Sequence, residues 1–378
     1  MTRDVLVVGG AIAGLAAALA LHRSGRDVEV RERSDVPPPR GTALLVWPDV
    51  VDALDRLGVG DALRAASVPA RDGALVDVRG RTIVGLGAET GARIVARGDL
   101  HRLLSDALPD GVVRTGVVVD PAHVDDADLV VAADGVHSVF RDVVAGRAVP
   151  AARLGTVAYR GVVSGACPTA TETWGDDASL FGMSPLDDAH TNWFAAVRES
   201  SMPEGEITAA MLSDRFSGAR AEIRSLLDRV DDDGIDRRRI LDVPAFGPLV
   251  RDHLVLVGDA AHGMAPNLGR GAGEAILDCV ALARVLDAGD PIPVALRRYD
   301  AARRGPTRRM VRASRLLDRL GTGSAPIALR GAVVRAAVGL ASHGARVTPP
   351  MDSPADGDAT RSRSAAPAGS SRTPAPKS

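Results

Sequence analysis

The feature that most constrains the fold is an apolar strand, a glycine cluster and a helix close to the N-terminus. Val5 to Val8 form a β-branched run typical of a buried parallel strand, and the Ala-rich stretch Leu15–Arg23 is typical of a helix packed against a sheet. Gly9 permits a tight turn out of the strand, and Gly14 lets the helix approach the sheet closely. The order strand, turn, helix predicts an α/β fold.

This turn is a candidate dinucleotide site. A second strand follows and ends at Glu32, 18 residues after Gly14 (32 minus 14), where a carboxylate suits the adenosine ribose hydroxyls. The N–H groups at the helix start, together with the helix dipole, favour a pyrophosphate. Ala11 stands where the G-x-G-x-x-G pattern has its middle glycine. The alternative is a βα turn that binds nothing, but strand, helix, second strand and Glu32 together favour binding. The predicted contacts are Gly9, Gly10, Ala11, Ile12, Ala13, Gly14 and Glu32.

A second signal lies far along the chain. The apolar run from His253 to Val257 predicts another buried strand, and it ends in Gly258-Asp259. Asp259 is placed to accept hydrogen bonds from a polyol chain. Gly269 to Gly273 open a helix whose positive end would stabilise a reduced, negatively charged ring system. The alternative is that Asp259 only caps a turn.

A third strand, Asp128–Ala133, delivers Asp134-Gly135 at its carboxyl end, where open α/β sheets bind ligands. Between Val157 and Val197 the pattern changes to alternating strands, which predict an inserted antiparallel sheet. A helix is predicted from Glu206 to Leu227. Most of the few aromatic residues fall in the insert, where core packing explains most of them. The candidates for a substrate cavity wall are Tyr159, Met183, Asn192, Trp193 and Pro266.

Composition excludes several classes of function. The 378 residues carry a net charge of -2, which gives no indication of a nucleic-acid or membrane partner. Cys167 and Cys279 lack metal-ligand spacing, so no metal site is predicted. Lys377 is the only lysine and no G-x-S-x-G turn occurs, which argues against Schiff-base, P-loop and serine-hydrolase chemistry. With no secretory signal expected, the predicted location is cytoplasmic.

The C-terminal third is predicted to be helical and then irregular. The basic stretch Arg297–Arg315 predicts a solvated helix that Gly305-Pro306 kinks or splits in two. A further amphipathic helix is predicted from Ile327 to Ser342. From Thr348 onward the Pro-, Ser-, Ala- and Arg-rich composition predicts disorder.

Three pieces in this order resemble the class A flavoprotein monooxygenases, the group typified by para-hydroxybenzoate hydroxylase and salicylate hydroxylase. They are the glycine loop with Glu32, the segment Asp134–Arg141, and Gly258-Asp259 with Pro266 and Gly269 to Gly273. The resemblance implies a Rossmann-like FAD-binding domain with an inserted antiparallel-sheet substrate domain. The implied boundaries are 1–70, 96–150 and 245–320 for the first domain, 71–95 and 151–244 for the second, a C-terminal helix at 321–346 and a disordered tail at 347–378.

The resemblance also implies roles for single residues. The glycine loop would hold the pyrophosphate of non-covalently bound FAD, with Glu32 and Arg33 at the adenosine end and Val118 against the adenine. Leu45 and Arg97 would lie along the flavin and its linker. Asp134 to Arg141 resembles a segment implicated in both FAD and NAD(P)H binding. Asp259 would bind ribityl and phosphate groups, and the residues against the isoalloxazine would be Gly269, Arg270, Gly271, Ala272 and Gly273.

The implied reaction is hydroxylation or epoxidation of a small aromatic or enol-type substrate. NADH or NADPH reduces FAD, the reduced flavin forms a C4a-hydroperoxide with O2, and hydroxyl is transferred to the substrate. No catalytic side chain is predicted, and His262 is as compatible with a structural as with a catalytic role. The expected assembly is a monomer or homodimer. The alternatives are an FAD-dependent reductase or dehydrogenase of the same fold, a halogenase, a non-catalytic flavin-binding module, and an NAD-dependent dehydrogenase.

Overall fold

A computed structural model describes residues 3–36, 41–85, 90–124, 127–203 and 205–344 of the chain. The strands of these residues are, in chain order, β1 (Arg3–Val8), β2 (Val28–Arg31), β3 (Ala43–Val46), β4 (Ser67–Pro69), β5 (Ala74–Asp77), β6 (Thr82–Gly85), β7 (Arg93–Ala96), β8 (Val113–Arg114), β9 (Ala127–Ala132), β10 (Ala152–Ser164), β11 (Thr171–Trp174), β12 (Ser179–Pro185), β13 (His190–Arg198), β14 (Asp236–Asp242), β15 (Val250–Arg251) and β16 (Leu254–Leu256). The helices are α1 (Ile12–Arg23), α2 (Pro48–Arg56), α3 (Gly60–Ala65), α4 (Arg97–Asp106), α5 (Phe140–Ala145), α6 (Ala209–Arg215), α7 (Ala221–Leu227), α8 (Asp259–His262), α9 (Gly271–Leu286), α10 (Ile292–Gly321) and α11 (Ile327–Gly344).

The first sheet has six strands in the order β15-β16-β9-β1-β2-β8. Its pairs are parallel except for β15 with β16. The central strands are apolar on both faces, and Val7, Val130 and Leu256 are fully buried, as expected for parallel strands covered by helices. The small residues of α1 pack into the same core, which also takes in α9. All five parallel strands therefore end at one edge.

The second sheet has seven strands in the order β14-β10-β13-β12-β11-β5-β6. Its pairs are antiparallel except for β11 with β5. Most of it comes from the predicted insert, while β5 and β6 come from the earlier range 71–95. β7 begins in the same range and was expected to belong to this sheet domain. It pairs instead with β3 and β4 in a separate three-stranded sheet.

The two faces of the seven-stranded sheet have different surroundings. The helix-covered face carries Tyr159 and Trp193, which share a hydrophobic cluster with residues of α6 and α7. The opposite face, which we call the open face, includes Arg160 and Phe194, cross-strand partners that stay partly accessible. Side chains alternate between the faces of a strand, so each face has its own surroundings. Residues of α10 and α11 cover part of the open face around Trp174 and Leu180, while Arg160 and Phe194 stay partly accessible.

Several predicted elements have different bounds in the structure. The helix expected from Glu206 to Leu227 is two helices, α6 and α7, separated by a turn that contains Gly218. The split expected at Gly305-Pro306 does not occur, since α10 runs through Pro306. The strand expected from Val112 to Val119 is only β8.

The C-terminal region is described only in part. By backbone contacts, residues up to Arg335 form one compact unit, and the end of α11 belongs to a second. The predicted disordered tail from Thr348 lies outside the described residues. Among the residues described, we find no helix with the length and apolar character needed to cross a membrane.

Candidate active site

The predicted binding residues converge on one edge of the six-stranded sheet. Neighbouring strands β16, β9, β1 and β2 end at Gly258-Asp259, Asp134, Gly9 and Glu32. Strands in a sheet lie about 4.8 Å apart, so the three steps from Asp259 to Glu32 span roughly 15 Å. Two motifs that are 227 residues apart in the sequence (259 minus 32) therefore share one binding edge.

The glycine loop has the geometry of an anion cradle. Gly9 has a φ of +104°, which side-chain-bearing residues rarely adopt. A Cβ on Gly14 would lie 1.7 Å from the Gly9 carbonyl oxygen, so no other residue fits there. Within the described residues no side chain caps α1, whose N-cap is Ala11, and its first turn holds no acidic residue. The first N–H groups of α1 are therefore available to an anion.

Glu32 is held directly beside this loop. Its Oε2 accepts a hydrogen bond from the Gly10 N–H at 2.5 Å, and its Oε1 accepts one from the Ser34 N–H at 2.9 Å. The Val117 N–H donates to the Glu32 carbonyl at 2.8 Å, which brings the exposed Val118 to the same end of the site. Arg33 is exposed next to it. The three predicted adenosine-end residues, Glu32, Arg33 and Val118, therefore lie together beside Gly10 of the glycine loop.

His101 of α4 is a site residue that sequence reasoning missed. One of its ring nitrogens lies 2.9 Å from the Gly10 carbonyl oxygen. A histidine on an amphipathic helix carries no local signal for such a contact, because the contact depends on how α4 packs against α1.

Asp134 brings a buried, unpartnered acceptor to the middle of the edge. Its Oδ2 accepts a hydrogen bond from the Val139 N–H at 3.0 Å, while its Oδ1 is buried without a partner in the described structure. Burial raises the pKa of the Asp134 carboxyl above its usual value. Buried polar atoms are nearly always satisfied, so this oxygen indicates a missing donor such as a cofactor hydroxyl.

Arg141 connects the Asp134 segment to the Asp259 segment. Its side chain is buried and donates to the carbonyl oxygens of Val136 at 2.8 Å, Val149 at 2.8 Å and Ala260 at 3.2 Å. The resemblance grouped Arg141 with nucleotide-binding residues. In the structure its guanidinium points inward and fastens the two strand ends together.

Gly258 holds the second strand end against the first glycine loop. It has a φ of +59°, and a Cβ there would lie 2.9 Å from the Cβ of Ala13 and 3.1 Å from that of Ala275. The Gly258 N–H donates to Oδ2 of the fully buried Asp278 at 2.9 Å. Asp278 of α9 thus fixes the turn from which the exposed Asp259 projects.

Asp278 also anchors a buried chain of charges. Nε2 of His262 lies 2.6 Å from its Oδ2, and Nε of Arg303 lies 2.6 Å from its Oδ1. Desolvation opposes ionisation, but the two cations outweigh it and hold the pKa of Asp278 below its usual range. His262 is buried in this network, and its pKa is raised because the Asp278 charge outweighs its own desolvation. The network favours a structural role for His262.

The chain of charges continues to the glycine-rich loop before α9. Arg303 donates to Glu274 at 2.6 Å, Glu274 accepts from Arg270 at 2.7 Å, and Arg270 binds both oxygens of Asp49 at 2.8 and 2.7 Å. Arg270 is therefore held in place between two carboxylates.

Close approaches also bring other predicted flavin-side residues together. A Cβ on Gly269 would lie 3.2 Å from Leu45 Cβ, and one on Gly273 would lie 2.8 Å from a methyl carbon of Val50. Gly271 and Ala272 begin α9, and no side chain among the described residues caps its N-terminus. The predicted Leu45 and Gly269–Gly273 thus form one surface.

Arg97, at the start of α4, lies in the cleft between this edge and the open face. Its side chain is accessible to solvent, yet desolvation lowers its pKa, which is the combination expected inside a recess. The opposing charge of Asp259 raises the pKa, and the charges of Arg160 and Arg238 lower it further. Arg97 therefore lies within electrostatic range of both Asp259 and charged residues of the seven-stranded sheet.

The structure distributes the predicted cavity residues over both faces of that sheet. Tyr159, Met183 and Trp193 lie on the helix-covered face, packed in the cluster of α6 and α7, which differs from the expectation that they line a cavity. Asn192 lies on the open face, where its Oδ1 accepts from the Ala43 N–H at 2.9 Å. Pro266 is exposed and follows Ala265, which packs with open-face residues.

These observations fit a dinucleotide. The N-terminus of α1, the unpartnered acceptor on Asp134, the close approaches at Gly14 and Gly258, and a carboxylate at each end all occur along this one edge. Among the residues described, no group of His, Cys, Asp or Glu could hold a metal ion.

Comparison with known proteins identifies the family. A family model described as an FAD binding domain matches residues 2–104 and 88–314. The aurachin C monooxygenase/isomerase of Stigmatella aurantiaca is 31% identical over 333 residues, covering 79% of this chain and 84% of that protein. The chain belongs to the class A FAD-dependent monooxygenases. An FAD-dependent urate hydroxylase of Klebsiella pneumoniae is 30% identical over 329 residues, covering 79% of this chain and 85% of that protein.

Solved structures confirm the predicted fold class of this class A monooxygenase. Klebsiella pneumoniae HpxO, solved with FAD and uric acid, matches with a TM-score of 0.76 and 27% identity, covering 85% of this chain and 90% of that one. A salicylate hydroxylase substrate complex has the same fold, with a TM-score of 0.73 and 23% identity over 93% of this chain and 99% of that one. The predictions of FAD as cofactor, NAD(P)H as co-substrate and monooxygenase activity are confirmed with the family.

Proposed function

We propose that this class A monooxygenase holds FAD along the edge from Glu32 to Asp259 and hydroxylates a small planar substrate at the open face. The observation that carries the proposal is the convergence of the two glycine-containing strand ends on one edge, with the Asp134 Oδ1 unpartnered between them. The domain division at 1–70, 96–150 and 245–320 against 71–95 and 151–244 is part of the proposal.

The roles of the chain's own groups follow from their positions. The first N–H groups of α1 would bind the pyrophosphate, Glu32 would accept hydrogen bonds from the ribose, and Asp259 would accept them from the ribityl chain. The first turn of α9 holds Glu274, whose carboxylate is paired with Arg270 and Arg303. The helix start would therefore present partial positive charge toward a reduced flavin, which carries negative charge. Bound FAD, once reduced by NADH or NADPH, activates O2 so that one oxygen atom enters the product.

The open face would orient the substrate and exclude water. Phe194 offers an accessible aromatic surface there, and Asn192 fastens this face to β3, whose Leu45 contacts Gly269. Relatives bear names of urate, aurachin C, 3-amino-4-hydroxybenzoate and 6-hydroxynicotinate enzymes. We propose a planar ring of similar size, bound over Phe194. The cytoplasmic location and the monomeric or homodimeric state remain predictions.

The test measures cofactor and product separately. Purified protein should carry FAD that is released on denaturation, and a suitable ring compound should accelerate oxidation of NADH or NADPH. The product formed under labelled O2 should gain one labelled oxygen atom by mass spectrometry. Protein that binds FAD but forms no oxygenated product with urate, 6-hydroxynicotinate, quinolone or aminohydroxybenzoate compounds would favour a reductase or a non-catalytic module.

A further inference from the structure

We infer that Glu172 recognises the substrate, and that the substrate is a planar nitrogen heteroaromatic with adjacent ring N–H and C=O groups, as in a pyridone or quinolone. The inference rests on the proposed function, because it assigns a residue of this chain to the substrate side of the same site. It follows from one row of side chains across the open face.

The row is defined by strand register. Arg160 of β10 pairs with Phe194 of β13, Phe194 pairs with Gly182 of β12, and Gly182 pairs with Glu172 of β11. Directly paired residues project from the same face of a sheet. Glu172 therefore projects from the open face, as Phe194 does. Tyr159 and Trp193 project from the other face of the sheet, where they pack under α6 and α7.

Gly182 leaves room for the Phe194 ring, which lies over it on the side toward Glu172. A Cβ on Gly182 would lie 2.1 Å from Cε1 and 2.2 Å from Cζ of Phe194, so the Phe194 ring leans over this glycine toward β11. A planar ligand stacked on Phe194 would place its edge near the Glu172 carboxyl group. Aromatic rings favour such offset stacking.

The surroundings of Glu172 are those of a side chain that lines a cavity, and they differ from those of a side chain in the hydrophobic core. Its side chain remains partly accessible, although desolvation raises the pKa of its carboxyl above the usual value. A carboxyl group that is both accessible and desolvated lines a recess. Its one hydrogen bond in the described structure comes from Trp174 Nε1, which donates to Oε1 at 2.7 Å.

Among the described residues, no ion pair involves Glu172. The end of α10 packs beside Trp174 at Gly321, and its Asp318 accepts a hydrogen bond from Thr156. On β5, Asp77 is paired with Arg81 at 2.6 Å, and on α11 the Arg330 guanidinium lies over the Trp174 ring. At the other end of the row, Arg160 is paired with Asp236. Because no cation pairs with Glu172 in the part of the chain that the structure describes, burial favours the neutral carboxyl form.

A neutral carboxyl group with this hydrogen bond is complementary to one arrangement of donor and acceptor groups on a ligand. Oε1 is fixed by Trp174 and keeps a second lone pair for an N–H donor, while the O–H on Oε2 donates to a carbonyl oxygen. Adjacent N–H and C=O groups on a heteroaromatic ring satisfy both positions at once. A ring carboxylate would need a cation on this row, and Arg160, the cation that the row carries, already donates to Asp236 at 2.8 Å.

The experiment compares matched ring compounds by the change in flavin absorbance on binding. The probes are 2-quinolone, which carries the N–H and C=O pair, 2-naphthol, which has the same shape without the pair, and salicylate. We expect 2-quinolone to bind most tightly and Glu172→Leu to weaken it roughly 10- to 100-fold, with little effect on 2-naphthol. Glu172→Gln retains both a donor and an acceptor, so it should bind 2-quinolone within a few-fold of wild type.

The pH dependence separates recognition from a structural role. Only the protonated carboxyl donates, so wild-type affinity for 2-quinolone should fall as pH rises through the raised pKa of Glu172, while affinity of the Gln variant stays flat. Glu222→Gln, on α7 beneath the other face, is the matched control and should behave as wild type.

Each result decides one claim. Equal binding of 2-quinolone by Glu172→Leu and wild type, or the same pH profile in wild type and Glu172→Gln, would overturn the assignment of Glu172. Preference for salicylate or 2-naphthol would overturn the substrate class while leaving the monooxygenase proposal intact. Absence of FAD, or of oxygenated product with every compound, would remove the proposed function and this inference with it.

Discussion

Replacing Gly14 with alanine tests whether the N-terminal loop is built around a close backbone approach. The new Cβ would lie 1.7 Å from the Gly9 carbonyl oxygen, and real Cβ atoms essentially never approach a heavy atom within 3.0 Å. The turn and α1 must therefore separate by about 1.3 Å. Overpacking of this kind costs about 1–3 kcal/mol, and the upper end applies because a backbone oxygen cannot rotate away.

The displaced groups are those proposed to bind the pyrophosphate, so we expect the Gly14→Ala variant to bind FAD roughly 100-fold more weakly, equivalent to about 3 kcal/mol. The assay titrates apoprotein with FAD and follows flavin fluorescence. Gly218→Ala is the matched control, because Gly218 is exposed between α6 and α7 and its Cβ would meet nothing within 4 Å. Wild-type affinity in Gly14→Ala would refute the reasoning.

Three further predictions concern the groups that hold the site together. Arg141→Met removes the donors to Val136, Val149 and Ala260 and should lower the free energy of unfolding by about 3 kcal/mol in urea, whereas an unchanged midpoint would contradict its role as a fastener. The raised pKa of His262 stabilises the fold below the unfolded pKa of about 6.5, and this contribution is lost as pH rises through the folded pKa. The stability difference between wild type and His262→Gln should therefore shrink from pH 6 to pH 9, and a constant difference would exclude the pairing with Asp278. Asn192→Ala leaves the Ala43 N–H unpaired and should cost about 1–2 kcal/mol in the same assay, more than Ser184→Ala.

The strand ends could be predicted from the sequence because each is a local signal. An apolar run followed by Gly9, Asp134 or Gly258-Asp259 specifies a buried strand and the turn that ends it. The rule that parallel strands end at one edge then brings the distant motifs together. The prediction that these motifs meet at one edge does not require the order of the strands in the sheet.

The faces of the second sheet could not be predicted in the same way. Trp193 and Phe194 are adjacent aromatic residues on one strand, and which of them is covered depends on where α6 and α7 pack. The signal for separating those two helices was Gly218, which lies within the range predicted as one helix. Tyr159, Met183 and Trp193 were expected at the cavity because they lie on predicted insert strands, and a position on a strand does not determine which face of the sheet is covered.

The buried charge network could not be predicted from sequence motifs either. Asp278 stands in an otherwise apolar helical stretch, and an aspartate there must be paired if it is buried. That signal was present in the sequence. Its partners, His262 and Arg303, are 16 and 25 residues away, and only tertiary packing identifies them.

The central claim is that one edge holds both halves of FAD, and titration of apoprotein variants with FAD and with FMN tests it most directly. Glu32→Leu should remove most of the preference for FAD over FMN, because FMN lacks the adenosine half. Asp259→Ala should weaken both ligands to a similar extent. If Glu32→Leu weakens FAD and FMN equally, or if Asp259→Ala binds both as wild type does, the two strand ends do not share the cofactor and the account is contradicted.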